Sequence, residues 1–176
     1  MDKKLLIVID MQHDFVYGAL GSKEAQAIVP VVKNKVKSFE GMLIFTRDTH
    51  QYDYMEHQEG KFLPVPHCIE NTEGWEIIPE LKEASKDKTC LIYDKPTFGC
   101  TELAQDLLAE HLQNPIGEIE IIGVCTDICV VSNALMIKAF LPDVPVSVDA
   151  ACCAGVTPEA HEAALATMRS CQIMVK

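Results

Sequence analysis

No run of lysine and arginine long enough to track a phosphate backbone occurs in the 176 residues, and the formal net charge is −11. Both features argue against nucleic acid and anionic membrane surfaces as partners. Uninterrupted apolar stretches approaching the roughly 18 to 20 residues of a membrane span are also missing. The apolar run after Lys3 and Lys4 stops at Asp10, too soon for the core of a signal peptide, and reads as a first strand. Paired C-x-x-C motifs are lacking although there are eight cysteines, among them the neighbours Cys152 and Cys153. That scatter is not the framework of a small disulfide-bonded secreted domain, so a reducing cytoplasm is the expected compartment. Repeats, low-complexity tracts and linker-like segments are absent too, which leaves residues 1–176 as one expected domain.

What is present is an alternation of short Ile-, Val- and Leu-rich runs with longer helical patterns. Strands are expected at 5–10, 42–47, 89–94, 118–124, 144–149 and 172–175, without the clean alternation of a half-exposed sheet. Helices are expected at 30–39, 101–111, 126–140 and 158–170, the last opened by Thr157 as cap and Pro158 at the first helical position. This order predicts a three-layer αβα sandwich around a mostly parallel sheet of about six strands. Residues 49–88 show little pattern beyond a helical turn near 77–84, and a connection that long is usually functional. Trp75 falls within it, either packing the loop or walling a pocket.

Ligands of open α/β sheets gather at the carboxyl ends of parallel strands. There Asp10 ends the first strand, Asp48 and His50 follow the second, Lys95 follows the third and Cys129 follows the fourth. If Thr126 or Asp127 caps the helix after the fourth strand, free amides and the helix dipole would favour the Cys129 thiolate, making it an activated nucleophile; alternatively it is one more small buried side chain. Asp10, after five apolar residues, should be poorly hydrated and hold its proton tightly, as a proton carrier does, or else cap a turn. Lys95 could lower the cysteine pKa and hold Asp10, or be a surface lysine. Asp48, His50 and His67 are a set suited to one divalent transition metal, zinc first and manganese or iron after it, with His57 and Glu59 as possible additional ligands; exposed loop histidines are the alternative. His13, His111 and His161 read as structural or solvated.

Residues 5–15, Leu-Leu-Ile-Val-Ile-Asp-Met-Gln-His-Asp-Phe, together with Thr46-Arg47-Asp48-Thr49-His50, His67-Cys68 and the turn from Gly123 to Val130, resemble the isochorismatase-like cysteine hydrolases, nicotinamidases most closely. The resemblance spans nearly the whole chain. It implies an Asp10, Lys95 and Cys129 triad, a metal on Asp48, His50 and His67, a cis peptide between Val124 and Cys125, and an oxyanion hole from the amides of Cys125 and Cys129. Phe15 and Phe98, with Val124, would line a slot for a flat ring, and self-association into a homo-oligomer is expected. The chain departs from the nicotinamidase pattern at 62–66, Phe-Leu-Pro-Val-Pro, where a tryptophan often stands, and at 71–74, Asn-Thr-Glu-Gly in place of Gly-Thr-x-Gly. The implied activity is hydrolysis of a small amide through a thioester. Alternatives are another amide or carbamoyl hydrolase of the superfamily, a vinyl-ether-cleaving isochorismatase, and, from a different class, a redox-sensing thiol protein with Cys125 as resolving partner or a non-catalytic binder.

Overall fold

Residues 5–9 are fully apolar because they run through the middle of the molecule, with neighbouring strands on both edges. The computed structural model describes residues 3–176. Its strands are β1 (Lys3–Ile9), β2 (Met42–Asp48), β3 (Cys90–Lys95), β4 (Ile116–Val124), β5 (Val146–Ala154) and β6 (Met174–Val175). They form one parallel sheet in the order β3-β2-β1-β4-β5-β6. The α-helices are α1 (His13–Val16), α2 (Lys23–Ser38), α3 (Gln58–Phe62), α4 (Pro79–Ser85), α5 (Thr101–Gln113), α6 (Val131–Phe140) and α7 (Pro158–Ser170). Helices α2 and α4 pack together, as do α5 with α6 and α6 with α7, giving the expected three-layer α/β architecture. The chain leaves β1 toward β2 on one side and β4 lies on the other, so the strand order reverses at the β1–β4 seam, where open α/β sheets form a crevice.

Several boundaries differ from the sequence reading, each for a physical reason. Helix α2 starts at Lys23, not at Pro30: the Ser22 hydroxyl accepts from the Ala25 amide at 3.0 Å, a true N-cap, while Pro30 sits exposed inside the helix. The missing proline N–H weakens the ladder, and burial of Ile28, Val29, Val32 and Val36 holds the helix on the sheet regardless. Strand β5 runs on through Ala150–Ala154 after a register shift against β4, small residues with no strong strand preference of their own. Lys95 is the last residue of β3 and pairs in register with Asp48. The segment 49–88 is tied down rather than irregular. His50 N–H donates to Cys68 O and Ile78 N–H to Met11 O, both at 3.0 Å, and Trp75 N–H donates from its ring to Thr49 Oγ1 at 2.8 Å while its face carries the Arg47 guanidinium. Trp75 therefore packs the loop and is not in the wall of the cavity at the carboxyl ends of the strands.

Candidate active site

The carboxyl ends of β1, β2, β3 and β4 bring Asp10, Asp48, Lys95 and Cys129 together. Lys95 Nζ, wholly buried, lies 2.7 Å from Asp10 Oδ2, 3.2 Å from Asp48 Oδ1, 3.1 Å from the Thr97 carbonyl and 3.6 Å from Cys129 Sγ. A buried ammonium survives only when paired, and here two carboxylates surround it, so its pKa is raised although burial alone would lower it. Burial pushes the Asp10 carboxyl up, against the opposing pull of Lys95. Its Oδ1 accepts from the Thr46 hydroxyl at 2.6 Å, whereas Oδ2 faces the Lys95 ammonium at 2.7 Å.

Cys129 departs from expectation. Burial, reinforced by the negative charge of Asp10, raises its pKa well above that of a free thiol, and Lys95 does not reverse this. The resting group is a thiol next to a carboxylate, not a preformed thiolate. Nor do Thr126 or Asp127 cap the turn: Thr126 Oγ1 bonds His161 Nδ1 at 2.8 Å, and Asp127 Oδ1 accepts from the Val156 amide at 2.9 Å, so both staple the turn to the start of α7. The turn itself, Thr126–Val130, is π-helical and follows a cis Val124–Cys125 peptide. Both Ile128 and Val130 donate to the Cys125 carbonyl, at 3.1 and 3.0 Å, skipping the Cys129 amide between them. Gly123, at φ +120°, is required just before it, because a Cβ there would collide with the Ile9 carbonyl where β1 and β4 approach.

On the other side of Lys95 lies a four-residue cluster. The donor atoms of Asp48, His50, Glu59 and His67 all fall within 4.8 Å of one another. Asp48 Oδ2 is 2.9 Å from His50 Nε2 and 3.4 Å from His67 Nε2, and Glu59 Oε1 is 3.5 and 3.8 Å from the same nitrogens. Ligands around one ion with bonds of about 2.0 to 2.2 Å are separated by about 3 to 4.4 Å, so two imidazoles and two carboxylates so placed fit a divalent transition metal. His67 Nδ1 lies 2.8 Å from the Val65 carbonyl, an outer bond that leaves Nε2 turned to the cluster. Hydrogen bonds to Asp48 and Glu59 outweigh burial and lift the His50 pKa to about 9, while the histidines and Lys95 hold Asp48 well below the usual carboxylate range despite its burial. His57 does not join: it is exposed and faces Asp53 at 3.3 Å. Of the two possible additional ligands, Glu59 alone reaches the cluster.

Both halves open on one cavity of about 360 Å³ whose wall includes Phe15, Leu20, Leu63, Phe98, Ile128 and Val156 together with Cys125 and Cys129 and with Asp48, Glu59 and His67. Val124, expected in the wall, is buried behind it and does not line it. A larger cleft at the amino ends of the strands is lined by Lys4, Lys35, Glu118 and Glu120, but these charges neutralise one another at 2.8 and 2.9 Å.

Three polar residues to which the sequence reading gave no role of their own hold the site in place: the buried Gln12 and Asn133 and the half-buried Asp14. Gln12 bonds both the amide and the carbonyl of Asp48, at 2.7 and 2.8 Å, and the Trp75 carbonyl. Asp14 accepts from the Cys68 amide at 2.8 Å and so holds the His67-Cys68 turn. Asn133 donates to the carbonyls of Cys129 and Phe98 and accepts from the Cys100 amide, joining the cysteine turn to the cavity wall. The signal was an amide inside the apolar run of 130–137, which must find partners when buried.

The family model described as the Isochorismatase domain matches residues 4–175. An uncharacterized isochorismatase family protein, PncA of Bacillus subtilis (strain 168), is 30% identical over 143 residues, 76% of this chain and 77% of that protein. The crystal structure of nicotinamidase/pyrazinamidase PncA from Bacillus subtilis superposes with a TM-score of 0.84 at 29% identity, covering 98% of both chains. Pyrazinamidase of Pyrococcus horikoshii in complex with zinc superposes with a TM-score of 0.80 at 30% identity, covering 99% of this chain and 98% of that one.

Proposed function

The chain belongs to the isochorismatase family, and from that premise we propose that it is a metal-containing cysteine amidohydrolase, most specifically a nicotinamidase converting nicotinamide to nicotinic acid and ammonia. The observation that carries this reading is the placement of Cys129 Sγ 3.6 Å from Lys95 Nζ, itself 2.7 Å from Asp10, in the wall of an apolar cavity that Asp48, Glu59 and His67 of the metal-fitting cluster also line.

Asp10 takes the thiol proton as Cys129 Sγ attacks the amide carbon, and the oxyanion forms against the amides of Cys125 and Cys129. Each such donor is worth roughly 3 to 4 kcal/mol of transition-state stabilisation. The C–N bond breaks and ammonia departs with the proton from Asp10. Water then attacks the thioester, giving one proton to Asp10; the acid is released and that proton returns to the thiol. Lys95 keeps Asp10 beside the sulfur throughout. Asp48, His50, Glu59 and His67 would hold the metal, which when bound supplies a Lewis-acid anchor for a polar atom of the substrate. Phe15 and Phe98 present aromatic surface to a flat ring.

A substrate panel tests the reading. Ammonia release is expected from nicotinamide and pyrazinamide in preference to N-carbamoyl amino acids; the reverse order would move the chain to another amidohydrolase branch, consistent with Leu63 in a wall where nicotinamidases often place tryptophan. Metal content gives a separate expectation. Elemental analysis should find one divalent ion per chain, lost in His67→Ala and retained in His57→Ala; full occupancy in the His67 variant contradicts the assigned set.

A further inference from the structure

We infer that Thr46 is a positioning residue that assigns the proton-accepting oxygen of Asp10. The inference rests on the reading of Asp10 as the base for Cys129. Thr46 is buried with no exposure, two residues before Asp48 on β2, so the two side chains share a face of the strand. One hydroxyl makes two bonds to the same residue: it donates to Asp10 Oδ1 at 2.6 Å and accepts from the Asp10 amide at 3.2 Å. The first distance is that of a short charge-assisted bond. The second ties down a backbone at φ +47°, a conformation that side chains other than glycine seldom adopt and that aspartate tolerates better than most.

The consequence is an asymmetric carboxylate. Oδ1 is already engaged by the Thr46 proton, which leaves Oδ2 for the thiol proton: it is the oxygen that lies 2.7 Å from Lys95 Nζ, and that same nitrogen is 3.6 Å from Cys129 Sγ. The terminal torsion of an aspartate is otherwise broad and nearly two-fold, so nothing intrinsic to the side chain would choose between the oxygens. Thr46 does not line the cavity and is not among the groups that could hold a metal. Its effect should therefore fall on proton transfer and not on substrate binding.

The test reads the thiol directly, independent of which amide is the substrate. Cys129 is alkylated with iodoacetamide at fixed pH, followed by intact mass and peptide mapping, in the wild type, Asp10→Asn, Thr46→Val and Thr46→Ser. Alkylation should slow by about tenfold or more in Thr46→Val and at least as much in Asp10→Asn, with Thr46→Ser close to wild type. For ammonia release, kcat should fall in Thr46→Val with KM within about twofold of wild type. A folded Thr46→Val protein that alkylates at the wild-type rate overturns the proposal, since a purely packing role would lower only the melting temperature. A folded serine variant as slow as valine overturns it equally, because the hydroxyl would not be the active feature. An unaffected Asp10→Asn protein removes the base itself, and the proposal with it, whereas its slowing alongside an unchanged Thr46→Val isolates the failure to Thr46. Should the valine variant not fold, Thr46→Ala carries the same comparison.

Discussion

Cys129→Ala should fold and release no ammonia from nicotinamide. The side chain is buried in the cavity wall and loses only its sulfur, a change on the order of 1 kcal/mol in stability. Activity should fall by roughly four to six orders of magnitude, to the limit of detection, because no other group stands where the thioester would form. Cys125→Ala supplies the contrast. Cys125 also lines the cavity, but its proposed contribution is a backbone amide, which alanine keeps, so that variant should retain most of its turnover. Incubation of the wild type with substrate followed by acid quench and intact mass should show the acyl adduct on the Cys129 peptide and never on Cys125. Equal ammonia release from wild type and Cys129→Ala would end the hydrolase reading, and a Cys125→Ala protein as dead as Cys129→Ala would place the chemistry on a thiol pair instead.

How much of this was legible in the residues alone depends on the range of the interaction concerned. Strand runs are legible because a central parallel strand must be apolar on both faces, and the residues that end such runs, Asp10 and Asp48, stand out by charge. Lys95 is legible as a position but not as a buried cation, since its environment is made by β1, β2 and the turn after β4, all distant in sequence. The state of Cys129 illustrates the same limit. Local rules about helix starts favour a thiolate, yet desolvation by the assembled core and the neighbouring Asp10 charge decide the outcome, and they exist only once the sheet is formed. The capping roles expected of Thr126 and Asp127 failed because His161 of α7 and the Val156 amide just before that helix engage them instead, partners some 30 residues away that no local spacing reveals. His57 and Glu59 could not be told apart by residue type; the short α3 helix turns the carboxylate inward and leaves the imidazole at its exposed start.

Lys95→Met separates the structural and chemical roles of the buried cation. Methionine fills much of the lysine stem's volume, so the main loss is charge. Asp10 and Asp48 would then be buried carboxylates without their common counter-ion, and breaking such a pair from one side costs about 3 to 5 kcal/mol, far more than an exposed salt bridge would. The deficit should depend on pH with a definite sign. Asp10 already holds its proton more tightly than an ordinary aspartate even with Lys95 present, and removing the cation raises it further. A carboxyl whose folded pKa exceeds its unfolded value binds protons preferentially in the native state, so folding gains stability as pH falls through that raised value toward the ordinary carboxylate range. Urea unfolding should therefore show the largest gap between variant and wild type at pH 8 and a smaller one near pH 5.5, while turnover stays lost at both, because an Asp10 that recovers stability by protonation can no longer accept a proton from Cys129. Arginine should not rescue it: the guanidinium is broader than the wholly enclosed space that the ammonium occupies. A gap that stays constant or widens on acidification would mean that the variant suffers from packing loss and that charge balance between Lys95, Asp10 and Asp48 does not hold the site together.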